Sequence, residues 1–405
     1  WINGEWLFEV VAYGLHEVIG ITGFSFVRAL LAAAIFLIVY LRNERDALLT
    51  AIAFFGAMQT FDFRPSSLAM LFVVLAIVCR SWIAHAVLAA FWINIHPSAL
   101  LAPGIAALSW SDGLSARQGL GGLRVRRSIA SAIALLVNPH GYRAITAPLE
   151  LLSFVGSGEF VNAEWLPSRV TQFPLLYVCV LGGALLFIRK HDEWWRVLLF
   201  AGFAFLAIRH VRNQALFYAA FPLLVPSLPI KPVLRDVTGA VAILLTALTV
   251  DHRLGVPPER FPMVAVARLQ STGFKGNIYN PDQFGGFLIW SFYPERRVLT
   301  DGRNELYREF IPEYARARVH QRAWRALLGK YRIDLAVDEY RAPLQVIDGI
   351  TRKQTLMPAS LAYWPRKEWA LIAFDEAGMV FARRAAFPGI EKWELQGVVP
   401  DAMRP

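Results

Sequence analysis

The sequence predicts an α-helical polytopic membrane bundle of about ten transmembrane helices followed by a small extracytoplasmic α/β domain. Three observations carry that expectation. The chain of 405 residues is 56% hydrophobic and only 18% charged, with a mean hydropathy of +0.42, too apolar for a water-soluble protein of this size. Ten apolar stretches fill residues 23 to 250, clustered into blocks where a surface helix would show an alternating pattern. From Asp251 onward the composition turns to that of a soluble domain.

The elements follow in order, as three segments. Residues 1–22 interleave Trp, Phe and Leu with Glu5, Glu9, His16 and Glu17, the pattern of an amphipathic helix lying in a membrane interface. Residues 23–250 form the transmembrane domain. Its spans are expected near 23–41, 47–58, 65–79, 82–93, 98–110, 128–138, 173–188, 196–208, 214–228 and 237–250. Several fall short of the ~20 residues a crossing helix needs, so their ends must reach into the flanking polar segments. Residues 251–405 form the α/β domain, entered through the proline-rich stretch Leu254 to Pro262. There, β-type runs at Gly276 to Asn280, Arg297 to Thr300, Ile333 to Val337, Ala370 to Phe374 and Gly378 to Arg383 alternate with helical patterns near 261–270, 304–330 and 350–361.

Charge sets the expected orientation. Threading ten spans alternately places twelve Lys and Arg residues on one side, among them Arg117, Arg127 and Arg235. Five fall on the other: Arg64, Arg143, Arg169, Arg209 and Arg212. The richer side is cytoplasmic, so residue 1 and the C-terminal domain lie outside. The net charge of +10 is spread over loops and a mixed-charge tail without a basic stripe, which excludes a nucleic-acid partner. Cys79 and Cys179 sit inside apolar runs without a His or second thiol at ligand spacing, so neither a disulfide framework nor a metal site is expected. No signal peptide is expected, and the chain is expected to begin part-way through a longer protein.

The polar residues of the apolar region gather at the outer ends of the helices. Trp92-Ile93-Asn94-Ile95-His96-Pro97-Ser98 breaks apolar sequence with hydrogen-bonding side chains and a proline that removes a backbone donor. Asn138-Pro139-His140-Gly141 repeats those ingredients at the same depth, which suggests one cavity lined by Asn94, Asn138 and Asn213. Arg64, His96, His140, Arg143, Arg209, His210 and Arg212 then form a cradle for a phosphate or diphosphate, because guanidinium groups pair bidentately with phosphate oxygens. Snorkelling to lipid headgroups is the alternative for some of these arginines. Glu5, Asp62 and Glu164 are the carboxylates available for proton transfer, and Trp165 offers an aromatic face for a sugar ring. Glu159 belongs to the same loop as Glu164. In the C-terminal domain, Asp301 and Arg303 are candidates for touching an acceptor, although Asp-Gly after a β-type run is commonly a turn. No GxSxG, HExxH, Walker A or GxGxxG pattern stands at a usable position, which disfavours serine hydrolases, zinc proteases and nucleotide-driven pumps.

The chain resembles bacterial membrane glycosyltransferases of the GT-C type. The residues carrying the resemblance are Gly4 to Glu9 (GEWLFE), Arg64-Pro65, Asn94-Ile95-His96, Asn138-Pro139-His140-Gly141, Glu164-Trp165, Gly285-Gly286 and Asp301-Gly302-Arg303. The resemblance implies a multi-pass enzyme of the bacterial inner membrane, acting in cell-envelope polysaccharide biosynthesis. It implies transfer of a sugar from a polyprenyl-phosphate or polyprenyl-diphosphate donor to an extracytoplasmic glycan or protein acceptor. The lipid-linked sugar is the co-substrate, and the sequence names no cofactor or divalent metal. The family's principal catalytic Asp would lie upstream of Trp1. Three alternatives stay open: an O-antigen-ligase-like enzyme, a lipid-linked-sugar transporter or flippase, and a non-catalytic membrane assembly protein.

Overall fold

The computed structural model describes residues 2–109, 121–156, 163–190, 194–249, 254–347 and 354–402. Its contacts divide the chain into two compact units, Trp1–Gly255 and Val256–Pro405.

Unit 1 is helical. Its helices are α1 (Trp6–Arg42), α2 (Ala47–Met58), α3 (Pro65–Val78), α4 (Trp82–Ile93), α5 (Ala102–Leu108), α6 (Gly121–Ala134), α7 (Arg143–Gly156), α8 (Pro174–Arg189), α9 (Trp194–Arg209), α10 (Gln214–Leu224) and α11 (Pro232–Thr249). Each apolar stretch is thus largely helical, yet the ten-span bundle is overturned. Among the described residues only α1 and α11 are long and apolar enough to cross a membrane. The physical reason is length. α2, α3, α4, α8 and α9 have 12 to 16 residues, which rise only about 18 to 24 Å against a hydrocarbon core of about 30 Å. Their polar flanks do not extend them. Pro65 and Pro174 start α3 and α8, and α4 stops at Asn94, which is followed by a 3-10 turn, Pro97–Leu101. A ten-pass location falls with the ten spans.

α1, 37 residues long, is two helices joined at a kink where Gly20 stands at φ 63 and ψ 179, two residues before the expected end of the interfacial segment. Only glycine enters that backbone region without steric cost.

Buried polar side chains close the helix ends of unit 1. Asp46, wholly buried, caps α2 by accepting from the Leu49 amide at 3.0 Å and pairs with Arg235 of α11 at 3.0 Å. Arg127 of α6 is 1% exposed and donates to the carbonyls of Cys79 at 3.2 Å and Ser109 at 2.8 Å, the residues that end α3 and α5. Two of the twelve basic residues counted as cytoplasmic surface charge therefore lie inside the fold as pins. Arg117 falls outside the described residues.

Unit 2 is a layered α/β domain. Its elements are α12 (Met263–Thr272), β1 (Asn277–Tyr279), α13 (Asp282–Phe292), α14 (Phe310–Val319), α15 (Gln321–Lys330), β2 (Ile333–Glu339), β3 (Leu344–Ile347), β4 (Gln354–Met357), α16 (Ala359–Tyr363), β5 (Trp369–Phe374) and β6 (Gly378–Arg383). The main sheet has the order β1-β2-β6-β5. β1 is parallel to β2, and β6 is antiparallel to both β2 and β5. Val298 adds a parallel bridge to Ile278. Strand alternation sends Val380 and Ala382 to one core with Leu269, Phe284 and Leu288, and Met379 and Phe381 to the other with Trp324, Leu327 and Trp364. Both faces of the sheet are covered by helices. In the separate antiparallel pair of β3 and β4, β4 stands where a helical pattern was expected, near 350–361, and α16 takes the end of that stretch; residues 348–353 lie outside the described residues.

Candidate functional site

The polar ends of four segments meet in unit 1. The first is the entry to α1. The Trp6 indole donates to Asn94 Oδ1 at 2.8 Å, the Leu7 amide donates to the Asn94 carbonyl at 3.2 Å, and His140 Nε2 lies 3.2 Å from the Asn3 carbonyl. Residues 3 to 7 therefore hold both Asn/His/Pro breaks. Asn94 is saturated in doing so, because its amide also donates to the carbonyls of Ala90 at 2.7 Å and Val137 at 2.8 Å. Asn138 closes its own turn, donating to the carbonyls of Leu135 and Gly141 and accepting from the His140 amide at 2.7 Å. Asn213 donates to the Leu206 carbonyl at 3.3 Å. These three asparagines, expected to line a cavity, each donate to backbone carbonyls.

The second segment is Asn94–Ser98. His96, 7% exposed, holds the turn into Pro97–Leu101 by accepting at Nδ1 from the Ser98 amide at 3.1 Å. The Ser98 hydroxyl lies 2.7 Å from the same nitrogen and accepts from the Trp92 indole at 3.0 Å. His96 Nε2 lies 3.9 Å from Glu5 Oε1, beyond hydrogen-bond range, and has no hydrogen-bond partner. Burial, with the neighbouring guanidinium groups of Arg212 and Arg64, pushes the imidazole pKa down to about 3. His96 is a neutral donor at physiological pH and adds no positive charge to the cradle.

The third and fourth segments are stitched together. The Ser168 hydroxyl donates to the Ala207 carbonyl at 2.6 Å and accepts from Gln214 Nε2 at 2.7 Å, while the Val211 amide donates to the Leu166 carbonyl at 3.0 Å. This brings the 3-10 turn Ala163–Trp165 against the turn Val211–Asn213. There His210 Nδ1 lies 2.7 Å from the Trp165 carbonyl, the rings of Trp165 and His210 meet edge to face at 5.4 Å, and the Arg212 guanidinium lies 4.4 Å from the Trp165 ring centroid. Arg64, at the N-cap of α3, pairs with Glu164 at 2.6 Å and donates to the Thr60 carbonyl at 3.3 Å, leaving its buried Nε without a partner. Asp62 stands 3.6 Å from Arg28. Arg143, at the start of α7, and Arg209, at the end of α9, are exposed.

The structure thus brings Glu5, Arg64, His96, Glu164, Trp165, His210 and Arg212 together, with His140 at the edge through Asn3. It leaves Arg143 and Arg209 on the surface. Glu159 lies outside the described residues. Ser98, which fixes the His96 ring, was missed as a site residue although it stands in the same broken segment. Among the described residues, no group of three His, Cys, Asp or Glu side chains could hold a metal ion.

In unit 2, Asp301 and Arg303 are engaged with each other. Asp301 accepts from the Arg303 amide at 2.9 Å and Nε at 2.8 Å, and from the Tyr307 hydroxyl at 2.8 Å. Burial works to raise its carboxyl, but the donors of Arg303 and Tyr307 outweigh it and hold Asp301 below the usual carboxylate range. Asn280 supports this loop, donating to the Thr300 carbonyl at 2.7 Å and accepting from the Leu299 amide at 2.9 Å. A second buried network was not foreseen. Asp338 accepts from Arg341 at 2.8 Å and from the Trp364 indole at 2.8 Å, and Arg341 also donates to the Tyr279 hydroxyl at 3.1 Å. The Asp-Glu-Tyr-Arg run at 338–341 was its only trace in the sequence. A cavity of about 480 Å³ has apolar walls from Met263, Val264 and Phe374. The Asp375 carboxylate at that cavity is occupied, accepting from the amides of Ala265, Ala377 and Gly378.

No family model matches the chain, and no curated protein matches it.

Proposed function

We propose that unit 1 binds the phosphate of a polyprenyl-phosphate or polyprenyl-diphosphate sugar between Arg64 and Arg212, and that the protein is a GT-C-like membrane glycosyltransferase. The observation that carries this reading is the convergence of those two guanidinium groups, from separate segments, on the turn Ala163–Trp165, where Arg64 pairs with Glu164 at 2.6 Å and Arg212 lies 4.4 Å from the Trp165 ring centroid. Trp165 beneath Arg212 supplies an aromatic face next to the anion site, the surface a pyranose ring stacks on. A phosphate entering the site competes with Glu164 for Arg64, offering the fork two oxygens in place of the one contact at 2.6 Å. α1 and α11 are the segments proposed to anchor the protein in the membrane.

The test is binding of a polyprenyl phosphate to the detergent-solubilised chain. Arg64→Ala and Arg212→Ala are each expected to weaken binding about tenfold or more, the loss of a charge-assisted hydrogen bond of about 1.5–3 kcal/mol. Arg143→Ala and Arg209→Ala serve as surface controls and should leave it unchanged. Equal affinity of the Arg64/Arg212 double variant and the parent would remove the phosphate site.

A further inference from the structure

The neutral His96 ring carries its hydrogen on a nitrogen that nothing occupies. The Ser98 amide can only donate, so Nδ1 must present its lone pair there, and in the neutral ring the hydrogen resides on Nε2. That N–H is buried and has no hydrogen-bond partner. The Glu5 carboxylate faces it from 3.9 Å, with 40% of the side chain exposed. The separation is too long for a direct bond and suits one oxygen atom about 2.8 Å from both groups.

The chemistry of the two flanks selects that oxygen. It must accept from the imidazole and donate to a carboxylate. A phosphate or carboxylate oxygen would accept but would press its charge against Glu5. An ammonium would satisfy Glu5 but cannot accept from Nε2–H. A hydroxyl group does both. We propose that His96 and Glu5 form a hydroxyl-binding subsite, whose ligand is an alcohol of a polyhydroxylated molecule.

The subsite rests on the phosphate reading only for its chemical consequence. With a phosphate-linked sugar alongside, the bound hydroxyl oxygen forms a bond to the anomeric carbon. The bond from that carbon to the phosphate oxygen breaks, and its electron pair leaves on the phosphate held by Arg64 and Arg212. The hydroxyl proton passes to the Glu5 carboxylate. His96 is then a positioning group that donates to the attacking oxygen, and His96 belongs to the acceptor side in place of the phosphate cradle.

The experiment follows the ¹⁵N resonances of His96 in the whole, histidine-labelled chain while methyl glucoside is added, with polyprenyl phosphate binding measured in the same preparation. The glycoside is expected to shift the Nε2 resonance. Glu5→Gln should weaken that response about tenfold, the loss of a hydrogen bond to a charged acceptor, with polyprenyl phosphate affinity unchanged. His96→Gln, which retains an N–H donor, should keep part of the glycoside affinity. An unmoved His96 resonance in a chain that still binds polyprenyl phosphate would mean a water only and overturn the subsite while the phosphate reading stands. A glycoside response without polyprenyl phosphate binding would support the subsite and sink the phosphate reading. Silence from both probes overturns both.

Discussion

The His96 imidazole and the Asp301 carboxylate are two buried groups whose charge states the fold sets in opposite ways. His96 is kept neutral, with a pKa near 3 set by burial and then by Arg212 and Arg64. The unfolded chain takes up this proton near pH 6.5, so stability falls as the pH drops from about 6.5 toward 3. Between pH 6.5 and 5 that single group costs at most about 2 kcal/mol. Chemical unfolding at pH 7 and pH 5 should show the parent losing more stability than His96→Gln; parallel losses would mean the ring is charged in the folded state. Asp301 is kept ionised below the usual carboxylate range. Its contribution is present above the unfolded value near 4 and is lost as the pH falls through the lower folded value. Asp301→Asn should therefore destabilise unit 2 at pH 7 and flatten its acid limb below about pH 4, read by circular dichroism. At this scale the sequence disclosed which side chains were unusual but not what each was doing. Asn94, Asn138 and Asn213 were expected to line a cavity and instead satisfy backbone carbonyls, because residues at helix ends are first claimed by the orphan groups beside them.

Among the elements, α13 depends on one close approach. A methyl group on Gly285 would lie 2.3 Å from the Thr300 carbonyl oxygen and 2.5 Å from Asp301 Cα, both main-chain atoms with little room to move. Gly285→Ala is expected to cost unit 2 about 1–3 kcal/mol by overpacking, while Gly286→Ala, whose methyl would enter open space, should cost little. Urea unfolding of the two variants separates them, and equal stability would show that the loop at Thr300 yields freely. The Gly285-Gly286 pair stood out in the sequence, but its partner loop was fixed by tertiary contact alone. α13 itself was not foreseen, since no helical pattern was expected between 270 and 304, although Pro281 and Asp282 are good helix openers. In unit 1 the helical stretches were legible from apolar clustering, whereas their ability to cross a membrane was not. Composition marks what is excluded from water, and the core of unit 1 excludes it as well as lipid would: Trp92, Phe217 and Leu224 are at most 0% exposed.

For the whole molecule, each hydrophobic core is drawn from a single unit: residues 32 to 225 form one, and residues between 265 and 390 form the other two. Residues 256–405 expressed alone should therefore unfold cooperatively, with a near-ultraviolet signal from the packed Trp324, Trp364 and Trp369; a featureless spectrum would show that this core needs unit 1. The sequence located the compositional change at Asp251, and the contacts divide the chain at Gly255 and Val256. Orientation by charge counting was less secure, since Arg127 and Arg235 were counted as surface cations and serve as internal pins. The clasp at residues 3 to 7 has one more consequence. Two of its links, from the His140 ring to Asn3 and from Leu7 to Asn94, end on main-chain carbonyls, which every amino acid supplies. Related chains are thus free to drift at positions 3 and 7 so far as those two links are concerned, while Trp6, which must provide an indole N–H, and His140, which must provide a ring nitrogen, carry the selective burden of tethering the two broken segments to residues 3 to 7.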